Sequence, residues 1–162
     1  MKKQAQKTFH IISLGCAKNL VDSHSYAELL YQDGLVQAES VKQAKYILVN
    51  TCGFIHDARQ ESYETIREVV SRKKQNQKLI VTGCLSERYK DKLLEEVSGI
   101  DGLVGTRNLK DLNKVISALE EETREPIIYF PEYQRIVNQP DLQSVAVQGN
   151  SAYLKIADGC RR

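Results

Sequence analysis

No apolar stretch in this chain approaches the roughly 18 residues that a membrane-spanning helix needs. The basic start, MKKQAQK, is followed by no apolar core and no small-residue cleavage site. No secretory leader is therefore expected, and the chain is expected in the cytoplasm without membrane contact. Excess charge is lacking too: 23 Lys and Arg stand against 21 Asp and Glu, a net +2. Composition alone marks neither a nucleic-acid binder nor a receptor for acidic partners. There is no Gly-rich phosphate loop, no paired-carboxylate motif, no internal repeat and no series of RNA-stacking aromatics. Proline is scarce, and Pro126, Pro131 and Pro140 all fall after residue 122. The four cysteines form no C-x-x-C pair, which argues against a thioredoxin-type relay and a zinc ribbon. A reducing compartment disfavours structural disulfides as well. What remains is a chain of 162 residues, 41% hydrophobic and 27% charged, long enough for one domain with its own core.

Three of the cysteines share a local setting. Cys16 ends FHIISLGC, Cys52 follows YILVNT, and Cys84 ends KLIVTGC. Each follows a short β-branched run, and each has a neighbouring glycine: Gly15, Gly53 or Gly83. Such runs read as buried strands. The amphipathic stretches between them read as helices, which predicts parallel strands in one sheet. Parallel strands align their carboxyl ends, where open α/β sheets bind ligands. Cysteines 36 and 32 residues apart therefore converge on one edge, a pattern that suits a metal or iron–sulfur site. Glycine permits the close approach that several sulfurs require. Three ligands leave one metal position open.

The expected elements run as follows. Strands fall at Phe9–Leu14, Leu35–Ala38, Tyr46–Asn50, Leu79–Thr82 and Leu103–Val104. Helices fall near Ser23–Gln32 with Asp22 or Ser23 as cap, near Asp57–Lys74, from Ser86 to Val97, and from a cap at Asn108 to Glu121. The fold class is α/β, a three-layer flavodoxin-like parallel sheet of about five strands with flanking helices. Residues 1–122 form this domain. Residues 123–150 read as a linker with an edge strand at Ile127–Phe130. Residues 151–162, with a strand at Ala152–Ile156, read as the cut start of a second domain.

Plainer readings compete. A buried cysteine often only packs, and for one cysteine alone that reading would win. Three in one setting are a less natural accident. A nucleophilic cysteine needs a base, for which His10, His24 and His56 are the candidates. Lys18 and Asn19 follow Cys16 in what reads as a loop, where polar residues are expected anyway. RKKQNQK at residues 72–78 reads as a solvated surface rather than an RNA contact. A three-cysteine zinc site with an open position is a further reading.

Together, SLGCAKNLVDS, NTCGFIHDARQES and TGCLSERY resemble the amino-terminal domain of the radical-SAM methylthiotransferases. The resemblance covers roughly residues 8–120, with AYLKIADGC resembling the opening of the radical-SAM domain. NTCGFI with its A-x-x-ES segment is most similar to the RimO-type branch, which modifies a ribosomal protein; a tRNA-modifying branch is the alternative. The resemblance implies that Cys16, Cys52 and Cys84 bind an auxiliary 4Fe–4S cluster. It implies that Cys160 is the first ligand of a second 4Fe–4S cluster, which binds S-adenosylmethionine. The implied reaction methylthiolates the β-carbon of an aspartyl residue in a small-subunit ribosomal protein. The family usually has glutamate after VDS, where this chain has His24. Without the barrel, residues 1–162 alone are expected to be inactive.

Overall fold

The computed structural model describes residues 6–106, 109–121, 125–130 and 145–155. In chain order the elements are β1 (Thr8–Ser13), α1 (Ala17–Gln32), β2 (Val36–Gln37), a 3-10 turn at Val41–Gln43, β3 (Tyr46–Thr51), α2 (His56–Arg72), β4 (Lys78–Gly83), α3 (Cys84–Glu96), β5 (Gly102–Val104), α4 (Asp111–Ala118), β6 (Ile127–Tyr129), β7 (Val145–Gln148) and β8 (Ser151–Leu154). The first six strands form one sheet in the order β2-β1-β3-β4-β5-β6. Every pairing in it is parallel. The order of the first five is flavodoxin-like, as expected. The sheet gains a sixth strand because Ile127–Tyr129, expected as an edge strand in a linker, pairs in register with Gly102–Val104.

β3 is buried along its whole length, as a strand covered on both faces must be. Its side chains alternate. Ile47 and Val49 face a cluster with Leu79, Val81, Ile66 of α2 and Leu93 of α3. Leu48 faces the other way, with Ile80, Leu30 of α1 and Val115 of α4. Period-two strands between period-3.6 helices thus give three layers. Ile66 and Leu93 are fully buried, and truncating either to alanine should cost about 2–5 kcal/mol.

Two helices begin earlier than the sequence suggests. α1 starts at Ala17 rather than Ser23, and Cys16 is its N-cap residue in extended backbone. Asp22 and Ser23, expected as caps, are buried inside the helix. Asp22 pairs with Lys18 one turn back on α1 and with Lys155 far along the chain, and Ser23 bonds Ser13 and Asn50. Lys18 and Asn19 consequently lie in the first turn of α1, not in a loop. α3 starts at Cys84, two residues before the expected Ser86. The expected cap Asn108 lies outside the described residues.

β7 and β8 form an antiparallel hairpin around Gly149 and Asn150. Gly149 has φ +57°, the positive angle that tight two-residue hairpin turns demand. The hairpin lies against α1, with Ala146 buried. Its first strand falls in the stretch expected as linker. The second is Ser151–Leu154, close to the expected Ala152–Ile156.

Candidate cysteine site at the carboxyl edge of the sheet

β1, β3 and β4 are adjacent, and Cys16, Cys52 and Cys84 follow their carboxyl ends. The crevice between β1 and β3, where connections leave to opposite faces, is the place where such sheets bind ligands. Cys16 and Cys52 flank it. All three cysteines are free thiols: Cys16 is exposed, Cys84 half-buried and Cys52 buried.

Glycines let the three turns touch. A Cβ on Gly15 would lie 2.5 Å from the Cβ of Cys52 and 2.8 Å from its Sγ. A Cβ on Gly53 would lie 2.7 Å from the backbone carbon of Cys84 and 2.8 Å from its oxygen. Gly83 has φ +101°, and its Cβ would collide with the backbone of Thr51. Each cysteine turn therefore rests on the next through a position that only glycine can fill.

A buried hydrogen-bond network fixes these turns from below. The Asn19 Nδ2 donates to the carbonyl oxygens of Leu14 at 2.7 Å and Thr51 at 2.9 Å. Asn50 Nδ2 donates to the Asn19 oxygen and to the Ser23 hydroxyl. Thr51 Oγ1 donates to the Thr82 oxygen at 2.5 Å, which ties β3 to β4 two residues before Cys84. Ser62, fully buried on α2, accepts from the Cys52 N–H at 3.1 Å and has the Cys52 oxygen within reach at 3.0 Å. Ser86 reaches the oxygens of Gly83 and Val104. Asn19 is thus a brace between two cysteine turns. Ser62 and Thr51 were not singled out from the sequence, although Ser62 ends the A-x-x-ES segment.

The electrostatics are mixed. Burial pushes the Cys84 thiol above its ordinary range; the Lys18 ammonium pulls it down, the Cys52 and Cys16 sulfurs push it up, and Arg88 pulls it down. Cys16 caps α1 and Cys84 opens α3, so both sit at helix ends whose dipole favours an anionic sulfur. Among the described residues, no group of three or more His, Cys, Asp or Glu side chains is gathered closely enough to hold a metal ion. Three thiols on separate turns that touch one another are of the donor type that iron–sulfur clusters take.

The other candidates separate from this site. His56 is exposed and lies near Asp57. His10 Nδ1 is 2.9 Å from the Ala38 oxygen. His24 is exposed in mid-helix rather than at a helix start, and lines a groove of about 480 Å³ with Ile11, Leu20 and Tyr31. In the 72–78 segment, Arg72 pairs with Glu68, and Lys73 and Lys78 pair with Asp101, as a structural surface does. Cys160 lies outside the described residues. No helix among the described residues is long and apolar enough to cross a membrane.

Comparison with known proteins covers the same region. The model of the family described as uncharacterized protein family UPF0004 matches residues 8–105, from β1 through β5 with all three cysteine turns. The chain is similar to proteins named ribosomal protein uS12 methylthiotransferase RimO. It is 38% identical over 159 residues to that of Bdellovibrio bacteriovorus, covering 96% of this chain and 34% of the relative. It is 38% identical over 156 residues to that of a Thermoanaerobacter species, covering 95% and 35%. It is 40% identical over 152 residues to that of Natranaerobius thermophilus, covering 93% and 34%. The chain thus spans about a third of the length of the curated relatives it matches. With more than half its residues under the family model, the chain belongs to the protein family UPF0004.

Proposed function

We propose that this chain is the auxiliary iron–sulfur part of a radical-SAM methylthiotransferase acting on the ribosomal protein uS12. The observation that carries the reading is the contact between cysteine turns through Gly15 and Gly53. Cys16, Cys52 and Cys84 would hold a 4Fe–4S cluster by three thiolates. Bound there, such a cluster would supply sulfur for a carbon–sulfur bond at the β-carbon of an aspartyl residue. Lys18 and the amino ends of α1 and α3 would favour the anionic form of the sulfurs. Asn19, Thr51 and Ser62 would hold the turns so that the three sulfurs face one volume. Cys160 would be the first ligand of a second cluster that binds S-adenosylmethionine.

The relatives' names favour the ribosomal protein over tRNA as substrate. Cysteines that only pack are disfavoured, because Cys16 is exposed and Cys84 only half-buried. We further propose residues 1–122 as the cluster domain and 151–162 as the start of the radical-SAM domain, in the cytoplasm. β6, at residues 127–129, extends the same sheet across the proposed boundary.

Anaerobic reconstitution with iron and sulfide tests the site. About four iron and four sulfide per chain are expected, retained by Cys160→Ala and lost in Cys16→Ala, Cys52→Ala and Cys84→Ala. Zinc without acid-labile sulfide would favour a zinc site. A colourless protein, or a chromophore that survives every single substitution, would overturn the reading.

A further inference from the structure

The sheet is open along one side of β1. In a parallel strand, successive residues aim their backbone groups at alternate neighbours. The Thr8 oxygen accepts from Lys45, and the Leu14 N–H donates to the Asn50 oxygen, so the even-numbered residues of β1 face β3. The oxygens of Lys7 and Phe9 accept from Val36 and Ala38, so the odd-numbered residues face β2. β2 pairs only as far as Phe9 with Gln37. Beyond that pair, among the described residues, the N–H and C=O of Ile11 and Ser13 meet no backbone partner on the β2 side. Natural edges are often blunted by lysine, proline or a bulge. The stretch His10–Ser13 contains no lysine or proline, and its register with β3 is unbroken. A groove of about 480 Å³ lies along this open edge, beside α1. Ile11, Leu20 and Ala27 give it an apolar wall; Glu28 is its one carboxylate, and no Lys or Arg lines it among the described residues. Tyr31 and Gln37, hydrogen-bonded to each other at 2.8 Å, mark the end beside β2. The other end runs toward the first cysteine turn: Ser13 lines the groove, and the three residues from there to Cys16 span about 10 Å at most.

We propose that the open edge of β1 and its groove receive an extended, basic segment of the protein substrate, added to the sheet as a strand beside β1. The inference rests on the reading given above, because it assigns a seat to the uS12 segment that carries the aspartyl target. The backbone selects the kind of occupant. Ile11 and Ser13 offer N–H and C=O groups at strand spacing, which a peptide main chain satisfies and a sugar–phosphate chain does not. Charge selects further. With Glu28 and no cation in its lining, the groove attracts Lys or Arg side chains and repels phosphate. Proteins that bind ribosomal RNA are rich in those basic residues. The added strand also continues an existing pairing, since it takes up the β1 edge where β2 leaves off. Its alternate side chains enter the groove against Ile11 and Ala27, and the others face the opposite side of the sheet. A segment seated there runs past Gly15 and Cys16 with its main chain fixed. A residue just beyond the paired stretch is then the one presented to the sulfurs.

The test uses the metal-free chain and overlapping synthetic peptides that together cover uS12. Binding is read by fluorescence anisotropy, and amide hydrogen exchange by NMR. One stretch containing Lys or Arg should bind and slow exchange at Ile11 and Ser13, with Ile12, which faces β3, unchanged. N-methylation of that peptide at every second residue should weaken binding roughly two- to tenfold per lost bond, with little effect at the residues between. Glu28→Lys should weaken binding severalfold. Ser13→Pro removes an edge N–H and should weaken it as well. If Ser13→Pro fails to fold, the N-methylated peptides decide, because they leave the protein unaltered. The proposal is overturned if no uS12 peptide binds, if a scrambled peptide of the same composition binds equally well, or if N-methylation has no alternating effect. It is overturned too if tRNA takes the edge in place of the peptide, if Ile11 and Ser13 are already protected in the free monomer, or if a second copy of the chain protects them. Anaerobic reconstitution is scored separately. Peptide binding by a chain that forms no cluster sinks the iron–sulfur reading and keeps this one; a cluster without peptide binding does the reverse.

Discussion

Asn19, in the first turn of α1, holds the backbone oxygen of Thr51, the residue before Cys52, at 2.9 Å. The same amide nitrogen holds the Leu14 oxygen, two residues before Cys16. One side chain thus sets the separation of two cysteine turns. Asn19→Ala would leave two carbonyl groups without this donor, and Asn50 would keep its bond to the residue 19 backbone. The expected loss is about 1–3 kcal/mol, read as a lower urea midpoint of the metal-free protein. Asn19→Asp should cost more, since a carboxylate faces two acceptors with no proton to offer.

Gly15, Gly34 and Gly83 all have positive φ, but only two of them face crowding. Gly34, at φ +80°, has open space where its Cβ would be. Gly34→Ala should therefore cost only the backbone strain, about 1–2 kcal/mol. Gly83→Ala adds a collision with Thr51 and Asn50, and Gly15→Ala one with Cys52. Both should lower the thermal midpoint well beyond the Gly34 variant. If all three substitutions cost the same, contact between the turns is not what demands glycine.

The fully buried Ser62 hydroxyl accepts from the Cys52 N–H, and its one proton has the Ala58 oxygen at 2.8 Å and the Cys52 oxygen at 3.0 Å within reach. Ser62→Ala leaves the Cys52 N–H without its partner, at an expected cost of about 1–3 kcal/mol. Hydrogen exchange of the Cys52 amide should accelerate more than that of its neighbours in β3.

Burial raises the Cys84 thiol above its unfolded value, with Lys18 opposing that rise. In the folded, metal-free protein the thiol is then neutral over a wider pH range than in the unfolded chain. The corresponding stability is fully present below the unfolded pKa and is lost as pH climbs through the folded one. Alkylation of Cys84 should lag behind that of a free thiol at neutral pH and keep rising into the alkaline range. Lys18→Met should push this profile to higher pH. Cys84→Ala should remove the corresponding part of the alkaline loss in urea midpoint. A profile unmoved by Lys18→Met would separate Lys18 from the sulfur.

The sheet and the address of the cysteines were legible because they rest on short-range signals. Ile47–Val49 and Leu79–Val81 are β-branched runs that admit few alternatives, and a glycine stands beside each thiol. The starts of α1 and α3 were not legible. Asp22 and Ser23 have the chemistry of caps, but partners distant in sequence claim them, Lys155 for Asp22 and Ser13 and Asn50 for Ser23, with Lys18 adding a pair within the helix. Nothing local announces that a mid-helix aspartate will meet a lysine in β-hairpin sequence far downstream. β6 is the edge strand expected at Ile127–Phe130, but its membership of the main sheet was not legible, since that depends on pairing with β5. Asn19 and Ser62 look like ordinary polar residues until the turns they brace are brought together.

The three thiols hang from β1, β3 and β4, which are direct neighbours. Any group gripping all three sulfurs at once would act as a three-way staple across the middle of the sheet. It would close two long chain loops, Cys16 to Cys52 and Cys52 to Cys84, and restrict the unfolded chain if its sulfur bonds survived unfolding. If it binds only the folded form, its binding energy adds directly to folding. Loading this site and assembling the central strands would then be one event.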